Sequence, residues 1–304
     1  MRVLITGATG FIGRALCAHL SREHDLLAVA RNVESARRAL DGHAEARALP
    51  HSPEEWAAAV DGCNAIVNLA GESIAAGRWT EARKRQILDS RIGVTQGLVR
   101  GIESAARKPA VMVSASAVGY YGPHGDEEID ETAAPGSDFL ARTCREWEEA
   151  AQAAEPAGVR VARLRLGVVL GDGGGALERM VLPFKLFVGG PIGNGRQWLS
   201  WIHRDDVIGL VELALREERA AGAMNATAPE PQTMREFSRV LGKVLGRPSW
   251  APVPAVVLKL ALGEMSGMLL TGQRVLPRVA QQLGYRFRYG TLEAALAACL
   301  GAGG

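Results

Sequence analysis

The first fifteen residues constrain the fold more than any other stretch. Val3-Leu4-Ile5 is an apolar, β-branched run too short for a helix, and it reads as a buried strand. It runs into Gly7-x-x-Gly10-x-x-Gly13, and a helical pattern begins at Ile12. Gly7 lets the chain turn tightly off the strand. Gly10 removes the Cβ that would hold a diphosphate away from the backbone, and Gly13 lets the new helix pack closely on the strand. The free N–H groups and dipole at that helix start favour an anion. A glycine triplet is weak evidence alone, but one set between a strand and a helix is a dinucleotide-binding fingerprint. Gly7, Thr9, Gly10, Phe11, Ile12 and Gly13 are the expected contacts.

The segment that follows bears on which nucleotide fits. His24 to Ala30 reads as a second strand, and Arg31 stands directly after it. An acidic residue at this point takes a ribose 2′-hydroxyl, whereas an arginine accommodates a 2′-phosphate. The expected cofactor is therefore NADP(H), with NAD(H) the alternative. Further strands are expected at Arg47–Leu49, Ala65–Gly71, Ala110–Ser116 and Val159–Leu166. Helices are expected at Val33–Leu40, after the Ser52-Pro53 start signal, at Arg78–Arg100 and at Phe139–Ala154. This alternation predicts an α/β fold: a Rossmann-type, doubly wound parallel sheet with helices on both faces. Ligands sit outside the carboxyl ends of such strands, so Leu69, Ala70 and Gly71 should line the cofactor.

Past Leu170 the alternation weakens, and residues 171–304 are expected to form a smaller C-terminal substrate lobe on a 1–170 nucleotide-binding domain. Roughly 200–228 should return to complete the sheet. The acidic loop Pro123–Pro135 reads as a solvated flap, and Met180–Val188 as a helix. In the dense stretch Gly193–Asp206, Arg196, Trp201 and His203 are the candidate substrate contacts. Arg196 could clamp a carboxylate or phosphate, or sit at the lobe interface. Asp205 and Asp206 are expected to cap a helix from Val207 to Leu215.

Composition narrows the partners. With a net charge of +2 and no basic block or acidic tail, nucleic acid is not an expected partner. Cys17, Cys63, Cys144 and Cys299 are scattered, which argues against a disulfide framework or a metal site and for reduced cytoplasmic thiols. No window is apolar enough for a membrane span, and no signal peptide is expected. The partner is expected to be a small molecule and not a membrane, and the chain a monomer or homodimer.

With these pieces assembled, the chain resembles the extended short-chain dehydrogenase/reductases over nearly its full length. The residues that carry the resemblance are Thr6 to Gly13, Asn68-Leu69-Ala70-Gly71, Ser114-Ala115-Ser116 with the tyrosines after it, and Trp201 to Asp206. More narrowly, Gly71-Glu72-Ser73-Ile74, Arg78-Trp79-Thr80 and Gly272 to Tyr289 are similar to the atypical NAD-dependent epimerase/dehydratase-like (YfcH-like) branch. Its members often carry a C-terminal domain of unknown function, here roughly 250–298. The resemblance implies that Glu72, Ser114, Gly167 and Val168 also contact the cofactor. It implies hydride transfer assisted by a serine and a Tyr-x-x-x-Lys pair. Ser116 stands where that serine is expected, with Ser114 the alternative. The pair itself is missing: the equivalent helix start carries Leu140 and Cys144, and no tyrosine has a lysine four residues on. Tyr120 or Tyr121 could supply a phenol instead. Two functions follow as expectations. One is an NADP-dependent oxidoreductase or nucleotide-sugar epimerase acting on a small polar substrate. The other is a catalytically weak NADPH-binding sensor or regulatory protein.

Overall fold

Val3, Leu4 and Ile5 are fully buried at the centre of a seven-stranded parallel sheet in the computed structural model, which describes residues 1–301. The first half of the chain runs β1 (Arg2–Thr6), α1 (Phe11–Leu20), β2 (Asp25–Ala30), α2 (Val33–Leu40), β3 (Glu45–Ala48), α3 (Pro53–Val60), β4 (Ala65–Asn68), α4 (Glu81–Ser104) and β5 (Val111–Ala117). A 3-10 turn (Val118–Tyr121), the short β6 (Glu128–Ile129) and α5 (Phe139–Gln152) lead to β7 (Arg160–Leu166). The seventh sheet strand comes later in the chain, as expected for 200–228: it is β11 (Gly222–Ala226).

The strand order is β11-β7-β5-β4-β1-β2-β3, every neighbouring pair parallel. Connectivity reverses between β1 and β4, and this is where such sheets open a crevice at their carboxyl ends. The register sets Thr6, Asn68 and Ser114 side by side along that edge.

Alternation along the strands sorts the core into two layers. Val3, Ile5, Val67 and Val113 face Leu16 and Leu20 of α1 and a later helix, Arg204–Arg216. Leu4, Ile66, Met112 and Val161 face α3 and α4 through Trp56, Leu98 and Ile102. Each such side chain contributes about 1.5–3 kcal/mol when fully buried. The two helices of the second layer touch closely because Gly97 and Gly101 of α4 leave room for Trp56. Ser52 caps α3 with Pro53 in its first turn, as its sequence signal predicts.

The second half has its own core. Its elements are β8 (Val168–Leu170), α6 (Gly175–Lys185), β9 (Trp198–Leu199), β10 (Trp201–His203), α7 (Arg204–Arg216), β12 (Gln232–Thr233), α8 (Met234–Leu245), α9 (Ala255–Leu262), α10 (Gly267–Leu270), β13 (Arg274–Val275), α11 (Arg278–Gln282) and α12 (Leu292–Leu300). Leu177, Phe184, Trp201, Phe237, Leu241 and Leu296 form its centre. Three two-stranded pairs, β8 with β10, β9 with β12 and β6 with β13, stitch it together.

Three local expectations are corrected. The helix read at 180–188 begins five residues earlier, after a glycine run, and takes Pro183 into its last turn. The acidic loop 123–135 is exposed along most of its length, as expected, but it is tied to the second half. Glu128 pairs with both Arg274 and Arg278, Asp126 accepts from Trp198 Nε1 at 2.7 Å, and the half-buried Glu131 accepts from Asn225 N and Val279 N. The helix expected at Val207 starts at Arg204, and its cap is His203, whose Nδ1 accepts from Asp205 N at 3.1 Å. Among the described residues, no helix is long and apolar enough to cross a membrane.

Candidate active site

The glycine turn has the geometry its spacing suggests. Gly7 adopts φ 68°, and a Cβ there would run into the carbonyl of Leu69. A Cβ on Gly13 would collide with the Gly7 carbonyl, so α1 can cross β1 this closely only with glycine. At Gly10 a Cβ would approach just one protein atom, Gly7 O at 3.2 Å. Gly10 and Thr9 are exposed, and no side chain caps α1 and no acid stands in its first turn. The N–H groups that a helix start leaves unpaired are thus open to an anion. Ile12 is half-buried and packs on the core. Phe11 is turned to the protein: Gly171, Gly174 and Gly175 lie against its ring, and the Arg204 guanidinium sits 5.2 Å from the ring centre.

At the β2 end of the crevice, Arg31 is 81% exposed and its Nη1 donates to Glu72 Oε1 at 2.8 Å. One donor is engaged, which leaves the rest of the guanidinium fork for a further anion. Glu72 is set by its backbone: its N–H donates to Ser90 Oγ and its carbonyl accepts from Arg91 Nη2. Leu69 and Ala70 are half-buried and Gly71 is exposed, just beyond β4. Ser114 is buried, and its Oγ accepts from Asn68 Nδ2 at 3.1 Å. Thr6 Oγ1 donates to Asn68 Oδ1, so the crevice floor is a closed polar ladder.

The end of β5 departs from expectation. Ser116 is 1% exposed, and its hydroxyl donates to Glu148 Oε1 at 2.7 Å. Glu148 also receives Arg165 Nε at 2.8 Å and Arg165 Nη2 at 3.0 Å, with both side chains 4% exposed. Arg165 Nη1 reaches on to Tyr121 Oη at 2.9 Å, and Tyr121 donates to Asn225 Oδ1. Burial opposes the Arg165 charge, but the bonds to Glu148 outweigh it and hold the guanidinium firmly protonated. Burial pushes the Tyr121 phenol up to about 12 despite its bonds. Ser116 and Tyr121 are therefore committed to one buried network. Sequence reasoning passed over its two charged members. Their signal is a glutamate four residues after Cys144 on the same helix, and the second of two arginines, Arg163 and Arg165, that interrupt the apolar Val161–Leu166 strand.

Tyr120 differs from its neighbour. It is half-buried, its ring lies beneath the Arg165 guanidinium at 3.5 Å, and its hydroxyl has no hydrogen-bond partner among the described residues. Leu140 and Cys144 pack against the 3-10 turn, where a Cβ on Gly119 would lie 3.3 Å from Leu140 Cβ and 3.9 Å from Cys144 Sγ. Burial pushes the Cys144 thiol up to about 12.

The expected substrate contacts do not converge. Arg196 is exposed on the second lobe, and only its backbone N–H is bonded, to Asn194 Oδ1. Trp201 is fully buried, donates to Glu230 O and belongs to the lobe core, because β10 is held inside by its pairing with β8. His203 is buried as the α7 cap, its ring centre 3.9 Å from that of Tyr289. Asp206 is fully buried and accepts from Tyr285 Oη, Arg288 N and Tyr289 N. Gly167 bears on Ser200 O, which leaves no room for a side chain, and Val168 opens β8. Among the described residues no metal-binding cluster of His, Cys, Asp and Glu forms.

The profile of the NAD dependent epimerase/dehydratase family matches residues 3–226, and a domain of unknown function (DUF1731) matches residues 253–299. The chain is 44% identical over 303 residues to the epimerase family protein SDR39U1 homolog, chloroplastic, of Arabidopsis thaliana, covering 99% of this chain and 87% of that one. It is 40% identical to the epimerase family protein YfhF of Bacillus subtilis, covering 97% of each chain. The crystal structure of human epimerase family protein SDR39U1 (isoform 2) with NADPH superposes with a TM-score of 0.88 at 37% identity, covering 98% of this chain and 99% of that one.

Proposed function

This chain belongs to the NAD dependent epimerase/dehydratase family, and from that premise we propose that it binds NADP(H) and acts as an oxidoreductase or nucleotide-sugar epimerase on a small polar substrate. The uncapped, acid-free start of α1 behind an open Gly10 carries the reading. It suits an anion such as a diphosphate. Arg31 would take the 2′-phosphate, sharing its fork with Glu72. The human relative solved with NADPH supports this choice of nucleotide. Leu69 to Gly71 and the end of β5 would flank the nicotinamide half.

Bound there, the nucleotide supplies the hydride donor or acceptor. The chain has to place a substrate carbonyl or alcohol beside it and manage one proton. Ser116 cannot release its hydroxyl proton to a substrate while Glu148 takes it. Leu140 carries no proton. Beside the end of β5, Tyr120 is the tyrosine whose hydroxyl has no partner among the described residues, and the Arg165 guanidinium stacked on its ring fixes its orientation. We assign it the acid/base step.

Titration with NADPH and NADH tests the binding half. Arg31→Asp should weaken NADPH at least tenfold and leave NADH nearly unchanged, since one charge-assisted bond to phosphate is worth roughly 1.5–3 kcal/mol. Equal loss of both nucleotides, or none, would remove Arg31 from the site. Tyr120→Phe tests the chemistry: consumption of NADPH with a panel of carbonyl compounds should stop while NADPH affinity stays as it was. Undiminished turnover would take the step away from Tyr120.

A further inference from the structure

Eight of the nine most exposed large apolar side chains belong to two short segments: Leu182, Leu186, Phe187 and Val188, and Trp250, Val256, Val257 and Leu260. Backbone contacts make them one surface. Trp250 Nε1 donates to Phe187 O at 3.0 Å, Trp250 N and Ala251 N both donate to Gly189 O, and Ile192 bridges Val253. Helix α9, Ala-Val-Val-Leu-Lys-Leu-Ala-Leu, has no buried residue along its length. Phe187 holds φ 62°, a left-handed backbone that a residue with a Cβ adopts at a cost, yet its ring is 54% exposed. Scattered apolar residues need no explanation, but a joined patch of this kind marks an interaction surface.

Charge identifies what the patch meets. Residues 179–204 and 237–263 contain no aspartate or glutamate. Lys185, Arg247 and Lys259 stand among the apolar side chains and make no ion pair among the described residues, and the Arg247 guanidinium lies 4.4 Å over the Phe187 ring. A second copy docked face to face would set these cations against their own images, and the nearest acids stand only at the rim: Glu264, engaged by Lys84, and Glu178 in the first turn of α6. Projecting apolar side chains, a tryptophan and unpaired cations on an unburied helix are the features of a surface that lies in the interface of an anionic bilayer. We propose that this face, α9 with the end of α6, docks peripherally on membranes bearing anionic lipid. Nothing spans the bilayer in this arrangement.

Flotation of the full chain with vesicles tests it. The protein should rise with phosphatidylcholine–phosphatidylglycerol vesicles, stay down with phosphatidylcholine alone, and be released by added salt. Val256→Ser with Leu260→Ser should weaken binding about tenfold or more. Lys185→Gln and Lys259→Gln should each weaken it about fivefold. These positions are exposed, so circular dichroism and the melting temperature should not move, which separates lost docking from lost fold. No flotation on anionic vesicles, or equal flotation of the apolar double variant, overturns the proposal. So does a dimer in light scattering that Leu260→Ser dissociates, for then a second copy covers the patch.

Discussion

Removing the Glu148 carboxylate should cost more than any other single polar substitution near the site. Glu148→Ala deletes the acceptor of three bonds, from Ser116 at 2.7 Å and from Arg165 at 2.8 and 3.0 Å. It leaves Arg165 charged, 4% exposed and unanswered. Breaking one side of a buried pair costs about 3–5 kcal/mol, because the remaining charge keeps its desolvation penalty. Unfolding entropy scales at about 2.1 cal/mol/K per residue, so a chain of this size loses roughly 6 °C of melting temperature for ~4 kcal/mol. Differential scanning calorimetry and urea titration should agree on that loss. The control is the double substitution Glu148→Met with Arg165→Met. It removes both charges at similar volume and should recover most of the stability, so the two sites will be strongly non-additive. Turnover should stay low in the double variant, since the cation beneath Tyr120 is gone. A single-variant loss under about 1 kcal/mol would refute the reasoning, as would a double variant as unstable as the sum of its parts.

Two further outcomes follow from burial. Burial lowers the His203 pKa against the opposing pull of Asp205 and Asp206, so the folded ring stays neutral while the unfolded one protonates near its ordinary value of about 6.5. Stability should therefore fall as pH drops below that value and level off once the folded ring also takes up its proton. His203→Asn, which keeps an acceptor for the α7 cap, should flatten the fall in urea midpoints between about pH 7 and 5, and an unchanged slope would count against the assignment. Burial also pushes the thiols of Cys17, Cys144 and Cys299 up to about 12, and raises that of Cys63. A disulfide reagent near pH 8 should find no fast-reacting thiol in the folded protein and four after denaturation. One fast thiol in the native state would mean that a core segment opens.

The nucleotide-binding half was legible because its signals are local. A strand, a glycine turn and a helix dictate one another within fifteen residues, and the period-two and helical patterns sort the two faces of the sheet. Ser52 announces its helix in the same way. The second half was less legible because its residues are placed by distant partners. Trp201 reads as a recognition residue until the β8–β10 pairing takes it inside. Asp206 reads as a cap, yet its partners lie about 80 positions later. The loop at 123–135 reads as a free flap because the arginines that tie it down come from β13 and α11. At the site itself, the missing Tyr and Lys were visible at Leu140 and Cys144, whereas the Glu148–Arg165 pair needed α5 and β7 to be brought together.

The long reach of Asp206 has a consequence for how the chain is made. On the ribosome, synthesis runs from the N-terminus, and helix α7 emerges well before Tyr285, Arg288 and Tyr289 exist. Until then the carboxylate that will be sealed without solvent has only water to satisfy it, so that end of α7 cannot close. Glu131 waits in the same way for the backbone of Val279. Until residues 279–289 are made, neither carboxylate has its full set of partners.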